Sequence, residues 1–277
     1  MTMKIRLIAL DLDGTLLNSQ KDLSRRNEKA LMKCVEKGIY VVPCTGRIWN
    51  GMPDFIRQFP GIRYAITVNG AMVEDVEKHQ VLSEEKMHWV QAKEILELAR
   101  DFATMYDVYV DGQGIGELRF MENMDQYGLS PELQKMIRRT RKAVEDLPSE
   151  VARLGRPVEK VNYFFYDSEE RGRARKALLA RGDIVVSSSF PNNLEINAPG
   201  ATKGGALLRL AAYLGIDPKQ TMGFGDGEND MTLIQEAGIG VAMGNAVDAL
   251  KAKADYVTGN NDEDGVAAAL EHFIENW

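Results

Sequence analysis

Ile5-Arg6-Leu7-Ile8-Ala9-Leu10-Asp11-Leu12-Asp13-Gly14-Thr15 decides the reading of this chain. An almost unbroken apolar run from Ile5 to Leu10 fits a strand buried on both faces, as in a parallel sheet covered by helices. It stops at two carboxylates one residue apart, followed by glycine. Alternation puts Asp11 and Asp13 on one side of the chain, and Gly14 allows a sharp turn close to a ligand. Two like charges so close call for a cation, and hard carboxylate oxygens suit Mg²⁺. Taken alone, Asp-x-Asp-Gly is also an ordinary strand-end turn.

Outward from this stretch the pattern repeats. Arg25 to Lys37 reads as a helix with Ala30, Leu31, Cys34 and Val35 on one face, ended by Gly38. Ile39 to Pro43 reads as a second strand breaking at Thr45-Gly46-Arg47. After a further helix, Tyr64 to Val68 reads as a third strand, ending at Asn69-Gly70. Strand–helix alternation predicts a parallel sheet with right-handed crossovers, whose ligands bind beyond the carboxyl ends of the strands.

From about Ser83 the texture changes. A helix over Met87–Ala103 precedes strands near Tyr106–Asp111 and Glu117–Met121, helical segments around Pro131–Arg141, a strand over Val158–Tyr166 and a helix over Ser168–Arg181. Two strands, near Asp183–Ser189 and Leu194–Asn197, lead back to the core. The core pattern then resumes with a helix after Lys203, a strand Thr221–Gly225 and a helix around Met231–Ala237. A strand Gly240–Ala242, a last strand near Ala254–Val257 and a helix Val266–Ile274 complete it. The expected organisation is an α/β, Rossmann-like parallel-sheet core formed by 1–82 and 193–277, with an α+β cap inserted at 83–192.

The second acidic cluster, Gly225-Asp226-Gly227-Glu228-Asn229-Asp230, again ends an apolar strand. Asp226 and Asp230 offer further oxygen ligands, although Asn229 or Asp230 could equally cap the next helix. Two acidic strand ends in one parallel sheet share an edge, which favours a metal site. Thr45, Gly46 and Arg47 can hold phosphoryl oxygens, and Lys203 can neutralise phosphate and nucleophile. A lone lysine at a helix start is otherwise a surface residue, and Arg47 could serve an ion pair instead.

These four segments, Asp11-Leu12-Asp13-Gly14-Thr15-Leu16-Leu17, Thr45-Gly46-Arg47, Lys203-Gly204 and Gly225 to Asp230, resemble the four motifs of the haloacid dehalogenase-like (HAD) phosphatases. The size and placement of the insert resemble the type-two (C2B) cap of the Cof-like branch, as do Asn69-Gly70-Ala71, Val241 to Ala246 and Ala254 to Val257. Ala201-Thr202 stands where that branch often has Val-Ser. The resemblance implies that Asp11 is the nucleophile of an aspartyl-phosphate intermediate and Asp13 the general acid and base. It implies that Mg²⁺ is held by Asp11, the backbone carbonyl of Asp13, and Asp226, with Asp230 and Asn229 in or just behind that shell. Thr45, Gly46, Arg47, Lys203 and Asn229 would bind substrate. The carboxylate at 13 separates this chain from the dehalogenases, which lack one there, and from the transport ATPases, which carry Thr.

With 34 basic and 41 acidic residues the chain has a formal charge of −7, a poor balance for nucleic-acid binding. No stretch approaches the roughly 20 apolar residues that span a bilayer, and Met1 to Arg6 shows no leader pattern. Two cysteines, Cys34 and Cys44, make no disulfide framework. The expectation is a cytoplasmic enzyme, monomeric or weakly dimeric, that hydrolyses small phosphorylated metabolites such as sugar phosphates. A phosphotransferase or phosphomutase using the same nucleophile, or a non-catalytic phosphometabolite-binding regulator, are the alternatives. Several features are set aside. Gly112 to Gly116 reads as a glycine-rich hairpin, Arg138 to Lys142 as a solvated helix face, and Cys44 as a small buried residue. His79, His88 and His272 lack ligand spacing. Asn192 and Asn193 are candidate cap contacts that turn chemistry explains equally well.

Overall fold

The computed structural model describes residues 5–274. Met1 to Lys4, part of the segment read above as lacking a leader, lie outside the described residues. In chain order the strands are β1 (Leu7–Leu10), β2 (Tyr40–Pro43), β3 (Tyr64–Thr67), β4 (Met72–Asp75) and β5 (Gln80–Glu84). There follow β6 (Thr104–Val110), β7 (Gln113–Glu117), β8 (Arg141–Val144), β9 (Lys160–Phe165), β10 (Val185–Ser187) and β11 (Asn193–Asn197). The last are β12 (Thr221–Gly225), β13 (Ile239–Ala242) and β14 (Tyr256–Val257). The chain forms two compact units, one ending at Glu84 and resuming at Thr202, the other Glu85–Ala201.

The first unit is built on a five-stranded parallel sheet of order β14-β13-β12-β1-β2. The continuous apolar run of β1 serves two layers. Leu7 and Ala9 pack with Ala206, Leu207 and Leu210 of the helix Lys203–Leu214, while Ile8 and Leu10 pack with Leu31, Cys34 and Leu270 on the opposite side. Burial on both faces is why β1 shows no polar alternation. Chain order reverses between β1 and β12, so Asp11 and Asp226 follow neighbouring strands at the switch point where open α/β sheets bind ligands.

The third expected strand differs from its reading. β3 pairs antiparallel with β4, and β4 with β5, forming a separate three-stranded sheet. An isolated parallel bridge, Cys44 to Ile66, joins this sheet to the end of β2. The expected helix before it shrinks to Asp54–Arg57 and a 3₁₀ turn, Trp49–Gly51.

The inserted unit holds a six-stranded sheet of order β10-β11-β9-β6-β7-β8, antiparallel except for the β7–β8 pair. β11 pairs with β9 and β10, so the return to the core falls after Ala201, not at 193 as the sequence suggested. The strand expected at Glu117–Met121 is displaced: β7 starts at Gln113, and Leu118–Glu122 is helical. Gly114 and Gly116 read as loop residues because strands rarely tolerate glycine. Here they leave space for crossing side chains, since a Cβ on Gly114 would overlap Arg141. The glycine-rich segment is indeed a hairpin, turning at Asp111 and Gly112 with φ of 51° and 69°.

Arg141 also departs from the solvated-face reading of its basic run. Arg138 and Arg139 are exposed on the helix Pro131–Thr140, but Arg141 begins β8 and is buried. Its Nε donates to Asp107 Oδ2 at 2.9 Å and its Nη2 to Tyr109 OH at 2.6 Å. On the same sheet face Asn162 Nδ2 donates to Asp107 Oδ1 at 2.5 Å, and Lys160 pairs with Glu195 at 2.8 Å. The other face buries Tyr106, Val108, Tyr163 and Leu194. No helix among the described residues is long and apolar enough to cross a membrane.

Candidate active site

The site grows from the loop after β1. Asp11 continues the parallel ladder by donating its N–H to Phe224 O at 3.1 Å, after which Leu16 N and Leu17 N donate back to Asp11 O and Leu12 O. This tight reversal requires left-handed backbone at Gly14, whose φ is 84°. A Cβ there would sit 2.8 Å from Asp226 Cγ, so the absence of a side chain lets the two acidic loops approach. Thr15, fully buried, donates from Oγ1 to Asp226 Oδ1 at 2.7 Å.

Lys203 lies at the start of the helix Lys203–Leu214, with Thr202 as its N-cap. The surface position open to a lysine there is not the one observed: Lys203 is 0% exposed. Its Nζ donates to Asp11 Oδ1 at 2.6 Å and to Asp230 Oδ1 at 2.5 Å. The other oxygen of Asp230 accepts the N–H groups of Asp226 and Gly227, each at 2.9 Å. Asp230 thus braces the loop turn and faces Lys203 at once. One oxygen from each of Asp11, Asp226 and Asp230 lies within 4.8 Å of the others.

Burial and like charge act on this cluster together. Burial pushes the Asp11 carboxyl well above the usual carboxylate range, against the pull of Lys203, with Asp230 and Asp226 adding to the rise. Burial, then Asp230, push Asp226 up to about 7. Burial disfavours the Lys203 charge, but Asp11 and Asp230 outweigh it and hold the ammonium protonated well above its ordinary range.

Three carboxylates facing one ammonium leave an uncompensated negative charge that a cation would relieve. The donor set is hard oxygen throughout, and Gly14 and Gly225 present no side chain to obstruct it. Asp11, Asp226 and Asp230 therefore fit a hard divalent metal ion.

Asp13 stands apart from that cluster. Its oxygens accept from Arg47 Nε and Nη2, both at 2.7 Å, and Lys21 Nζ lies 2.9 Å from Oδ1. Burial raises its pKa, but Arg47 and Lys21 outweigh burial and hold it at about 2. Arg47 thus takes the ion-pair role left open by the sequence. Thr45 follows β2, anchored by its N–H to Ile66 O at 3.0 Å, and its Oγ1 accepts from Arg47 N at 3.2 Å. Asn229 donates from Nδ2 to Asn69 Oδ1 at 3.2 Å.

Thr15 and Lys21 were absent from the sequence-derived site. Thr15 lies within the first motif, whereas nothing in the spacing of Lys21 marks it. Asn192 donates to Gly128 O, and Asn193 Oδ1 accepts from Ser189 N and Phe190 N, so both brace turns. His88 caps a helix through Val90 N and His272 stacks on Tyr256. Cys44 is buried, and burial pushes its thiol above the ordinary range. It is no nucleophile in that state.

A parallel sheet carrying this constellation at its switch point defines a hydrolase core of the Rossmann-like type. The chain belongs to the haloacid dehalogenase-like hydrolase family, whose profile matches residues 8–270. It is 31% identical over 271 residues to the 5-amino-6-(5-phospho-D-ribitylamino)uracil phosphatase YcsE of Bacillus subtilis, covering 98% of this chain and 96% of that one. It is 29% identical over 273 residues to the pyridoxal phosphate phosphatase YbhA of Escherichia coli, covering 98% and 100%. A haloacid dehalogenase-like hydrolase from B. subtilis has the same fold, with a TM-score of 0.85, 30% identity and coverage of 98% and 100%. The chain is a HAD-type phosphatase of the Cof-like branch.

Proposed function

We propose that this protein hydrolyses small phosphate monoesters, sugar phosphates among them, by a Mg²⁺-dependent route through an aspartyl-phosphate on Asp11. The observation that carries the reading is the buried Lys203 bridging Asp11 and Asp230 beside Asp226, with the negative charge unbalanced. Relatives named for a ribityl phosphate and for pyridoxal phosphate support the substrate class. Mg²⁺ bound by Asp11, Asp226 and Asp230, with the Asp13 carbonyl, would neutralise charge on the transferring group and keep the Asp11 carboxylate ionised.

The residues then have distinct tasks. A carboxylate oxygen of Asp11 attacks phosphorus as the bond to the leaving oxygen breaks, and that oxygen takes a proton from Asp13. Lys203 and the Thr45–Arg47 turn hold the phosphoryl oxygens, where positioning and charge do most of the catalysis. Water next attacks phosphorus, gives its proton to Asp13 and returns the bonding electrons to Asp11, releasing phosphate. With Arg47 and Lys21 bound, Asp13 is ionised, the form that accepts a proton. Donation in the first half therefore requires Asp13 to exchange those partners for the leaving oxygen.

The test is phosphate release from sugar phosphates, a ribityl phosphate, pyridoxal phosphate and an aryl phosphate, with Mg²⁺, with chelator, and in Asp11→Asn. Mg²⁺-dependent multiple turnover lost in the variant is the expected result. Release that survives Asp11→Asn sinks the proposed nucleophile. Transfer to an added sugar hydroxyl in place of release to water identifies a transferase.

A further inference from the structure

Residues 68–70 adopt an unusual conformation. Val68 and Asn69 both have left-handed backbone, with φ of 52° and 58°, and Gly70 follows at 92°. For a β-branched residue such as Val68 this is a genuine outlier, and such outliers persist where the surroundings over-determine them. The surroundings here are the site itself. Asn69 N donates to Thr45 O and Val68 N to Arg47 O, both at 3.0 Å, so the bend grips the phosphate-binding turn at each end. A Cβ on Gly70 would lie 2.6 Å from the Thr202 carbonyl carbon, and Arg209 of the same helix donates to Gly70 O at 2.9 Å. The side chain of Asn69, 3% exposed, accepts from Asn229 at 3.2 Å.

The bend therefore touches the Thr45–Arg47 turn, the start of the Lys203 helix and the Asn229 loop simultaneously. We infer that Asn69 is a positioning residue that fixes the Asn229 amide and the Thr45 turn in register for the phosphoryl group, an inference that rests on the phosphatase reading. Asparagine suits the place for two reasons: it tolerates left-handed backbone better than other side chains, and its amide oxygen orients a second amide.

Asn69→Gly tests this while keeping the backbone conformation available. Michaelis constants for phosphate esters and the dissociation constant of inorganic phosphate, by calorimetry with Mg²⁺, are expected to rise roughly three- to ten-fold, the range of one ordinary hydrogen bond. The thermal midpoint should stay near that of the parent. Because Asn69 acts through Asn229, the Asn69→Gly/Asn229→Ala double variant should bind phosphate no more weakly than Asn229→Ala. Additive losses, unchanged phosphate binding in Asn69→Gly, or a loss accounted for by unfolding would overturn the assignment. Phosphate binding reports on Asn69 independently of turnover, whereas failure of the phosphatase reading shows as absent ester hydrolysis by the parent protein.

Discussion

Two buried ionic clusters differ in one respect, their charge balance. On the sheet of the inserted unit, Asp107 and Glu195 face Arg141 and Lys160, and every member has a partner. At the carboxyl ends of β1 and β12, the three carboxylates of Asp11, Asp226 and Asp230 gather beside Lys203, which bonds Asp11 and Asp230. A balanced buried network can be purely architectural, since each charge is compensated. An unbalanced one holds raised carboxyl pKa values in the folded state and is sustained where a ligand or ion completes it. The lesson is that burial of charge does not mark a functional site; a deficit of countercharge does.

The comparison can be broken or sharpened by substitution. The largest effect is expected for Lys203→Met, which removes the ammonium that joins Asp11 to Asp230 in the deficient cluster. Turnover should fall at least about 100-fold, as for loss of a preorganised electrostatic group, measured as kcat/KM on the best ester. A loss below about five-fold would place Lys203 outside the chemistry.

Arg141→Met, in the balanced cluster, should act on stability instead, by about 3–5 kcal/mol, because it strands a buried Asp107. Urea unfolding would measure this, and Asp107→Leu combined with Arg141→Met should recover much of the loss. If the double variant is no better than the single, the network is worth more than its charge balance.

Metal comes next. Saturating Mg²⁺ should raise the thermal midpoint, by about 2.7 kcal/mol of stabilisation at a hundred times Kd, and chelator should reverse it. The sign with pH follows from Asp226, raised to about 7. In the metal-free protein its contribution to stability is full below the ordinary carboxylate range and is lost as pH rises through about 7. Mg²⁺ binds the ionised form, so the gain from Mg²⁺ should be larger at pH 8 than at pH 6. A gain independent of pH would show that these carboxylates are not the ligands.

The smallest effect is a non-reaction. Burial holds the Cys34 thiol up at about 12 and pushes that of Cys44 still further above its ordinary value. Neither should react with an aromatic disulfide reagent at pH 8 until the protein unfolds. Rapid labelling of Cys44 in the folded state would show that the region beside the acidic cluster is open.

The five-stranded parallel sheet, though not the separate placing of β3, was legible in the sequence because its signals are local. The apolar run into Asp11, the glycine-flanked Asp226 and the strand Thr221–Gly225 each carry their meaning within a few residues. The inserted unit was less legible where long-range pairing set the structure. The displaced β7 and the buried Arg141 share one cause: glycines in a strand make sense only once Arg141, 27 residues later, lies across Gly114. The return boundary was misplaced for the same reason, since β11 gains its partners from β9 and β10.

The sequence by itself determined the layer architecture, the inserted unit and the residues Asp11, Asp13, Thr45, Lys203, Asp226 and Asp230 as candidates, because period, turn chemistry and residue type are written along the chain. Only the tertiary structure decided what those residues do to one another. It sank Lys203 between Asp11 and Asp230, turned Asp13 toward Arg47 and Lys21, and set Asn69 against Asn229. Coulomb energy and hydrogen bonding depend on distances of a few ångströms between groups up to about two hundred residues apart in sequence. Sequence spacing carries no such distances; folding creates them.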